Sequence, residues 1–163
     1  MILGITGHQK LENFDENWII KEIRNFVLKN SVDKGISCLA IGADQLFCEE
    51  LVNNKIDYDV IIPCENYLST FKKKEDILKF TSLLGLSKNV LTLNFEKPSE
   101  EAFYAAGQKI LEYSTTIIAV WDGKPAKGLG GTGDIVKAAL SFDKKVYHIN
   151  PVEKNSKYLN CND

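Results

Sequence analysis

The sequence has too few metal-type ligands in workable positions to suggest a metal centre. It holds two histidines and four cysteines, Cys38, Cys48, Cys64 and Cys161, and none has the close pairing of a zinc site. Cys38 and Cys64 sit in or beside apolar runs and read as small core residues. That usage fits a reducing compartment, so the expected location is the cytoplasm. No apolar run is long enough to span a bilayer, and no basic leader precedes the first strand, so no membrane role is expected. Formal net charge is −2 with no basic cluster, which disfavours a duplex nucleic acid partner. A Walker Gly-Lys-Ser/Thr is missing, and so is Gly-x-Gly-x-x-Gly after the first strand. These absences disfavour P-loop ATPases and classical dehydrogenases. No cofactor and no metal is expected.

What is present is an alternation of strand and helix patterns. Apolar runs at Ile2–Thr6, Ile36–Ile41, Tyr58–Ile62, Asn89–Leu93, Thr115–Trp121 and Lys145–Ile149 predict six strands. Helical spacing predicts helices over Glu16–Asn30, Asp44–Asn54, Glu100–Tyr113 and Ile135–Phe142, with an interrupted helical region over Tyr67–Leu84. Ser99 is a good N-cap for the helix that follows it. The Lys72-Lys73-Lys74-Glu75-Asp76 run reads as a solvated face. The strands are continuously apolar, as a sheet covered on both faces requires. The fold class is therefore α/β: an open, mostly parallel, doubly wound Rossmann-like sheet in three layers. At 163 residues with 44% apolar side chains, one domain over residues 1–150 and a frayed polar tail over 151–163 are expected. Apolar residues of the Phe71–Leu86 region exceed what one core needs, which predicts a homo-oligomer, most simply a dimer.

In such sheets ligands sit beyond the C-terminal strand ends. Four sequence features fall there. Gly4-Ile5-Thr6-Gly7-His8 closes the first strand, where Thr6 offers a hydroxyl and His8 a ring for phosphate contact or acid–base work; a plain surface histidine is the bland alternative. Gly42-Ala43-Asp44 opens the second helix, and Asp44 either complements the helix dipole or bonds a ribose hydroxyl. Glu65 and Tyr67, after Pro63, offer a carboxylate and an aromatic face, or a helix-start acid and a packing tyrosine. The fourth feature is the strongest. Asp122 follows the fifth strand, then Gly130-Gly131-Thr132 leads into a fresh helix. Strand, glycine loop and helix N-terminus make an anion site, because free amides and the positive dipole end point into the loop. Asp134 complements that dipole, and Trp121 reads as core.

These features together resemble the SLOG superfamily, the Rossmann-like group that includes the Lonely-guy phosphoribohydrolases and the DNA-processing protein A fold. Ile5-Thr6-Gly7-His8 resembles its opening Thr-Gly-His-Arg motif, with Gln9 in place of the arginine. Ile41-Gly42-Ala43-Asp44 resembles its Gly-Ala-Asp motif. Ala119 to Gly123 with Gly130-Gly131-Thr132 resembles a branch associated with nucleotide sensing in bacterial antiphage systems. The Lonely-guy loop carries a proline and a downstream glutamate that this loop lacks.

The expected function is binding of a nucleotide or nucleotide-derived ligand, ADP-ribose-like or a cyclic second messenger. Gly130, Gly131 and Thr132 would cradle phosphate on a floor of Thr6, Gly7, Gly42 and Ala43, with His8 beside it. Asp44 or Asp122 would bond ribose, and Glu65 with Tyr67 would border the base. The alternative is hydrolysis of a nucleotide N-glycosidic bond, with Glu65 and Asp122 as the leading catalytic candidates beside Asp44 and Glu101.

Overall fold

The computed structural model describes residues 1–126 and 128–159. Cys161 lies outside the described residues. The chain alternates from β1 (Ile2–Gly7) and α1 (Glu16–Lys29) to β2 (Lys34–Ser37), α2 (Ala43–Asn53) and β3 (Tyr58–Ile62). A 3-10 turn (Tyr67–Thr70) and α3 (Lys74–Leu86) lead to β4 (Asn89–Thr92), α4 (Glu100–Tyr113), β5 (Thr116–Val120), α5 (Thr132–Ser141), β6 (Lys145–Asn150) and β7 (Asn155–Leu159). The sheet order is β4-β3-β2-β1-β5-β6-β7. All neighbours are parallel except β6 and β7. This is the mostly parallel, doubly wound, three-layer architecture that the sequence pattern predicts.

Local chemistry explains where the helices start. Asp15 accepts the Trp18 amide at 3.1 Å and opens α1, which buries Ile19, Ile23, Phe26 and Val27 along one stripe. Ser99 accepts the Ala102 amide at 3.1 Å and opens α4, as its N-cap pattern predicts. Helices α1, α2 and α3 pack in sequence on one face of the sheet, and α4 packs with α5 on the other. The first core joins Leu3, Ile5, Ile19, Ile23 and Phe47. The second joins Ile110, Ile117, Ala119, Ile135 and Val146. Central strands filled on both faces follow from this arrangement: every residue of β5 is buried.

Several boundaries differ from expectation for identifiable reasons. β2 starts at Lys34 and ends at Ser37, four residues before Ile41; Ser37 still pairs with Val60, and the next amide, that of Cys38, goes to the Asp44 carboxylate. Leu39 then takes a φ of 53°, which ends extended structure. α5 begins at Thr132, so the glycine loop feeds straight into its first turn. The interrupted helical region resolves into a 3-10 turn and α3, and Phe80 and Leu83 of α3 are buried in the monomer's own core. Ile77 and Leu84 pack against that core partly buried, and Leu86 stays 59% exposed.

Within the segment after Pro151, where a frayed tail is expected, Asn155–Leu159 forms a strand. Asn150 Oδ1 accepts the amides of Val152 and Glu153 at 3.0 and 3.1 Å, which turns the chain. β7 then pairs antiparallel with β6, with Tyr147 opposite Tyr158. The Tyr147 ring lies 4.5 Å from that of Phe26 and 5.2 Å from that of Tyr158. A polar strand holds here because these rings give it one apolar anchor.

Candidate functional site

The order of the strands reverses between β1 and β5, the two strands paired from Leu3↔Thr116 to Gly7↔Val120. Loops leaving these strands diverge to opposite faces and open a crevice. A cavity of about 490 Å³ fills it, reaching from Pro63 and Tyr67 beyond β3 to the first turn of α5. Thr6, Gly7, His8, Asp44, Tyr67, Asp122, Gly130, Gly131 and Thr132 all contribute to its wall. Nine of the twelve sequence-predicted positions therefore meet in one place. Gly42, Ala43 and Glu65 do not line it.

The glycine loop is held by its own chain. Asp134 Oδ2 accepts the Gly130 amide at 3.2 Å and folds the loop back onto α5. This is the dipole-complementing acid of the sequence reading, with a loop-closing bond added. Gly130 has a φ of +84°, and a Cβ there would meet the Tyr104 amide nitrogen at 2.8 Å. Glycine is required at that position on both counts. Gly131 differs: its φ is −68°, and a Cβ would meet the Cβ of Ala126 at 2.7 Å. The added atom points into the loop itself and not into ligand space. No side chain caps α5. Among the described residues, no backbone carbonyl outside the helix takes the amides of Thr132 or Gly133. Those first-turn donors are available to an anion.

On the opposite wall, β1 delivers Thr6, Gly7 and His8. His8 Nε2 accepts the Asp122 amide at 3.1 Å, and Asp122 Oδ1 lies at the same distance from that nitrogen. The two strand-end loops are thereby tied together across the crevice. The His8 ring stacks on Phe14 at 6.0 Å. Asp122 Oδ1 also accepts the Lys124 amide at 3.1 Å. Burial resists ionisation of Asp122, but the Lys124 amide, the His8 ring and the Lys124 ammonium outweigh it, and its carboxyl sits below the usual range. Trp121, read as core, is half-buried and lines the cavity. Its indole donates to the Lys124 carbonyl at 2.8 Å, and the buried His148 Nε2 lies 2.8 Å from its carbonyl oxygen.

Asp44 lines the cavity and is anchored from within the fold. It is 6% exposed, and its Oδ2 accepts the Ser37 hydroxyl at 2.9 Å and the Cys38 amide at 3.1 Å. Burial pushes its carboxyl up to about 6, against the pull of those donors. It fixes the β2–α2 loop and also faces the cavity, so neither the ribose nor the dipole reading alone describes it.

Gly42 and Ala43 build the wall from behind. Gly42 has a φ of +88°, and a Cβ there would meet the carbonyl oxygens of His8 and Gln9 at 2.5 Å. The Ala43 amide donates to the His8 carbonyl at 3.1 Å. These residues seat the β1 loop and offer it no ligand surface. Glu65 is exposed, with its amide bonded to the Phe95 carbonyl at 2.9 Å. Glu101 is also exposed and outside the cavity. Tyr67 is buried among Phe71, Phe80 and Phe103 and shows only an edge to the cavity.

Phe14, Phe103, Lys10 and Lys124 also line the cavity and escape the sequence reading. Lys124 stands two residues after Asp122 within the strongest motif, a signal that proximity alone carries. Phe103 reads as an ordinary core position of α4, and only the packing of α4 against the sheet brings it to the cavity. The result is a cleft of mixed lining, with aromatic rings from Tyr67, Phe103 and Phe14 and polar groups from Thr132, Asp122 and Lys124, and Phe14 lies on the His8 ring that contacts Asp122. Among the described residues no group of three or more His, Cys, Asp or Glu side chains is placed to hold a metal ion. Among the described residues no helix is long and apolar enough to cross a membrane.

No protein-family model matches the chain, and no curated relative does. Solved structures do. DNA processing protein A from Streptococcus pneumoniae superposes with a TM-score of 0.65 at 18% identity, over 90% of this chain and 49% of that one. The Helicobacter pylori protein of the same name, described in a single-stranded DNA binding mode, gives 0.65 at 18% identity, over 91% of this chain and 64% of that one. This chain thus spans about half to two thirds of the length of those proteins. The structural-genomics target TM1055 gives 0.56 at 11% identity, over 89% of this chain and 71% of that one. The strand order, the crevice at its reversal and these superpositions together show a Rossmann-like fold of the kind found in DNA processing protein A.

Proposed function

We propose that this chain binds a nucleotide or nucleotide-derived ligand in the crevice between β1 and β5. The observation that carries the reading is the convergence of the β1 loop, Asp122 and the glycine loop on one 490 Å³ cavity headed by the first turn of α5. A phosphate sits on the free first-turn amides with the Thr132 hydroxyl, and Lys124 screens its charge. The base stacks on the aromatic lining, which Phe14 and Phe103 supply. Asp122 is ionised and accepts from a ribose hydroxyl. An ADP-ribose-like molecule or a cyclic second messenger has the required pairing of phosphate and planar ring, and a role in bacterial antiphage signalling fits such a ligand. The Helicobacter neighbour's single-stranded DNA presents the same two groups, so a short oligonucleotide belongs among the probes.

The test is a thermal-shift and calorimetric panel of mononucleotides, cyclic nucleotides, ADP-ribose and a short single strand. At least one is expected to raise the melting temperature, and orthophosphate is expected to compete with it. Thr132→Val is expected to weaken that ligand about tenfold, the worth of one charge-assisted hydrogen bond. A panel with no binder, or a ligand indifferent to Thr132→Val, refutes the site. Ligand recovered intact after prolonged incubation supports binding, whereas released base installs the hydrolase.

A further inference from the structure

Strand β4 breaks the rule that the other parallel strands obey. All four of its residues, Asn89 to Thr92, are exposed, whereas β1, β2, β3, β5 and β6 each bury at least half of theirs. Val90 is 50% exposed and Leu91 39%. Being consecutive, they project from opposite faces of the sheet. The sequence of β4 has the character of a covered strand, with no charge, proline or bulge. Exposed edges are normally blunted by those devices. The opposite edge of the same sheet complies: β7 carries Lys157 and is mostly polar.

The unpaired edge has a definite direction. The Leu93 amide donates to the Ile62 carbonyl at 2.9 Å, towards β3. Because bonding direction alternates along a strand paired as Ile62↔Thr92, Val90 and Thr92 turn their amides and carbonyls away from β3. We propose that this edge pairs antiparallel with the same edge of a second copy of this chain, about a two-fold axis at Leu91, joining the two sheets into one. Leu91 then faces the partner's Leu91 on one surface. Val90 faces the partner's Thr92 on the other, a β-branched pair that suits a pleated sheet. A two-fold axis sets identical patches against each other, and an uncharged strand meets its copy without like-charge repulsion. Four residues bury little area, so the dimer is weak. The cavity is lined from the end of β3 to the first turn of α5 and by no residue of β4, and it stays open in the dimer.

Sedimentation velocity of the intact chain, from about 10 μM to about 1 mM, tests this. The average mass is expected to rise towards that of a dimer. Leu91→Lys places two ammonium groups on the axis and is expected to leave a monomer at every concentration, with an unchanged circular dichroism spectrum. Mixing Leu91→Lys with Leu91→Glu is expected to restore a mixed dimer. Tyr158→Lys, at the far edge, is expected to leave self-association intact. A monomer throughout overturns the proposal and leaves the edge to a different chain. A dimer that survives Leu91→Lys overturns it equally.

Discussion

Asp44 offers a stability measurement whose sign and size follow from its surroundings. Its carboxyl binds a proton more tightly folded, at about 6, than its ordinary value of 3.8. Burial is the leading cause, and the Ser37 hydroxyl and the amides of Cys38 and Ala40 oppose it. A raised pKa means that the folded state holds the proton while the unfolded chain releases it. The favourable contribution is therefore complete below about pH 4, is lost as pH rises through about 6, and is flat beyond. A difference of about two units corresponds to roughly 3 kcal/mol. Asp44→Asn keeps an acceptor for Ser37 Oγ and the Cys38 amide while removing the ionisation. Urea unfolding of both proteins between about pH 4 and about pH 7 isolates this group, because other titrations cancel in the difference. The variant is expected to gain about 3 kcal/mol on the wild type across that window. Because Asp44 also faces the cavity, its ionisation repels an anionic ligand. Wild-type affinity for such a ligand is expected to fall over the same window, and that of Asp44→Asn to fall less. A stability difference that stays constant with pH refutes the assignment.

Other expectations follow from single contacts. Gly131→Val drives a branched side chain into Ala126 and is expected to displace the glycine loop, abolishing nucleotide binding in calorimetry while the circular dichroism spectrum is retained. Asp122→Ala removes the acceptor of the Lys124 amide and the His8 partner, and is expected to cost about 1 kcal/mol by chemical denaturation while weakening ligand binding. Phe47→Ala, at a fully buried position beneath β1 and β2, is expected to cost about 3–5 kcal/mol in the same assay with little effect on ligand affinity per folded molecule.

The chain's periodicity by itself determined the α/β alternation, because a 2.0 or 3.6 repeat of apolar side chains is a local property that neighbours cannot hide. Ile19, Ile23, Phe26 and Val27 announce α1 for that reason, and Thr116 to Val120 announce a strand buried on both faces. The glycine loop was equally legible, since Gly130 carries a backbone requirement in its own identity. Tertiary structure alone decided the rest. Asp44 and Glu65 look alike as acids near helix starts, yet one turns inward to hold Ser37 and Cys38 and the other faces solvent. Gly42 proved to be a seat for the β1 loop, a consequence of how closely two backbones pass. The polar segment Asn155–Leu159 became a strand because Phe26 and Tyr147, remote in sequence, supplied the rings that receive Tyr158. β4 shows the converse. Its apolar pattern is that of a covered strand, and its place at the edge of the sheet leaves it bare, because strand order depends on which crossovers close and not on any strand's own composition.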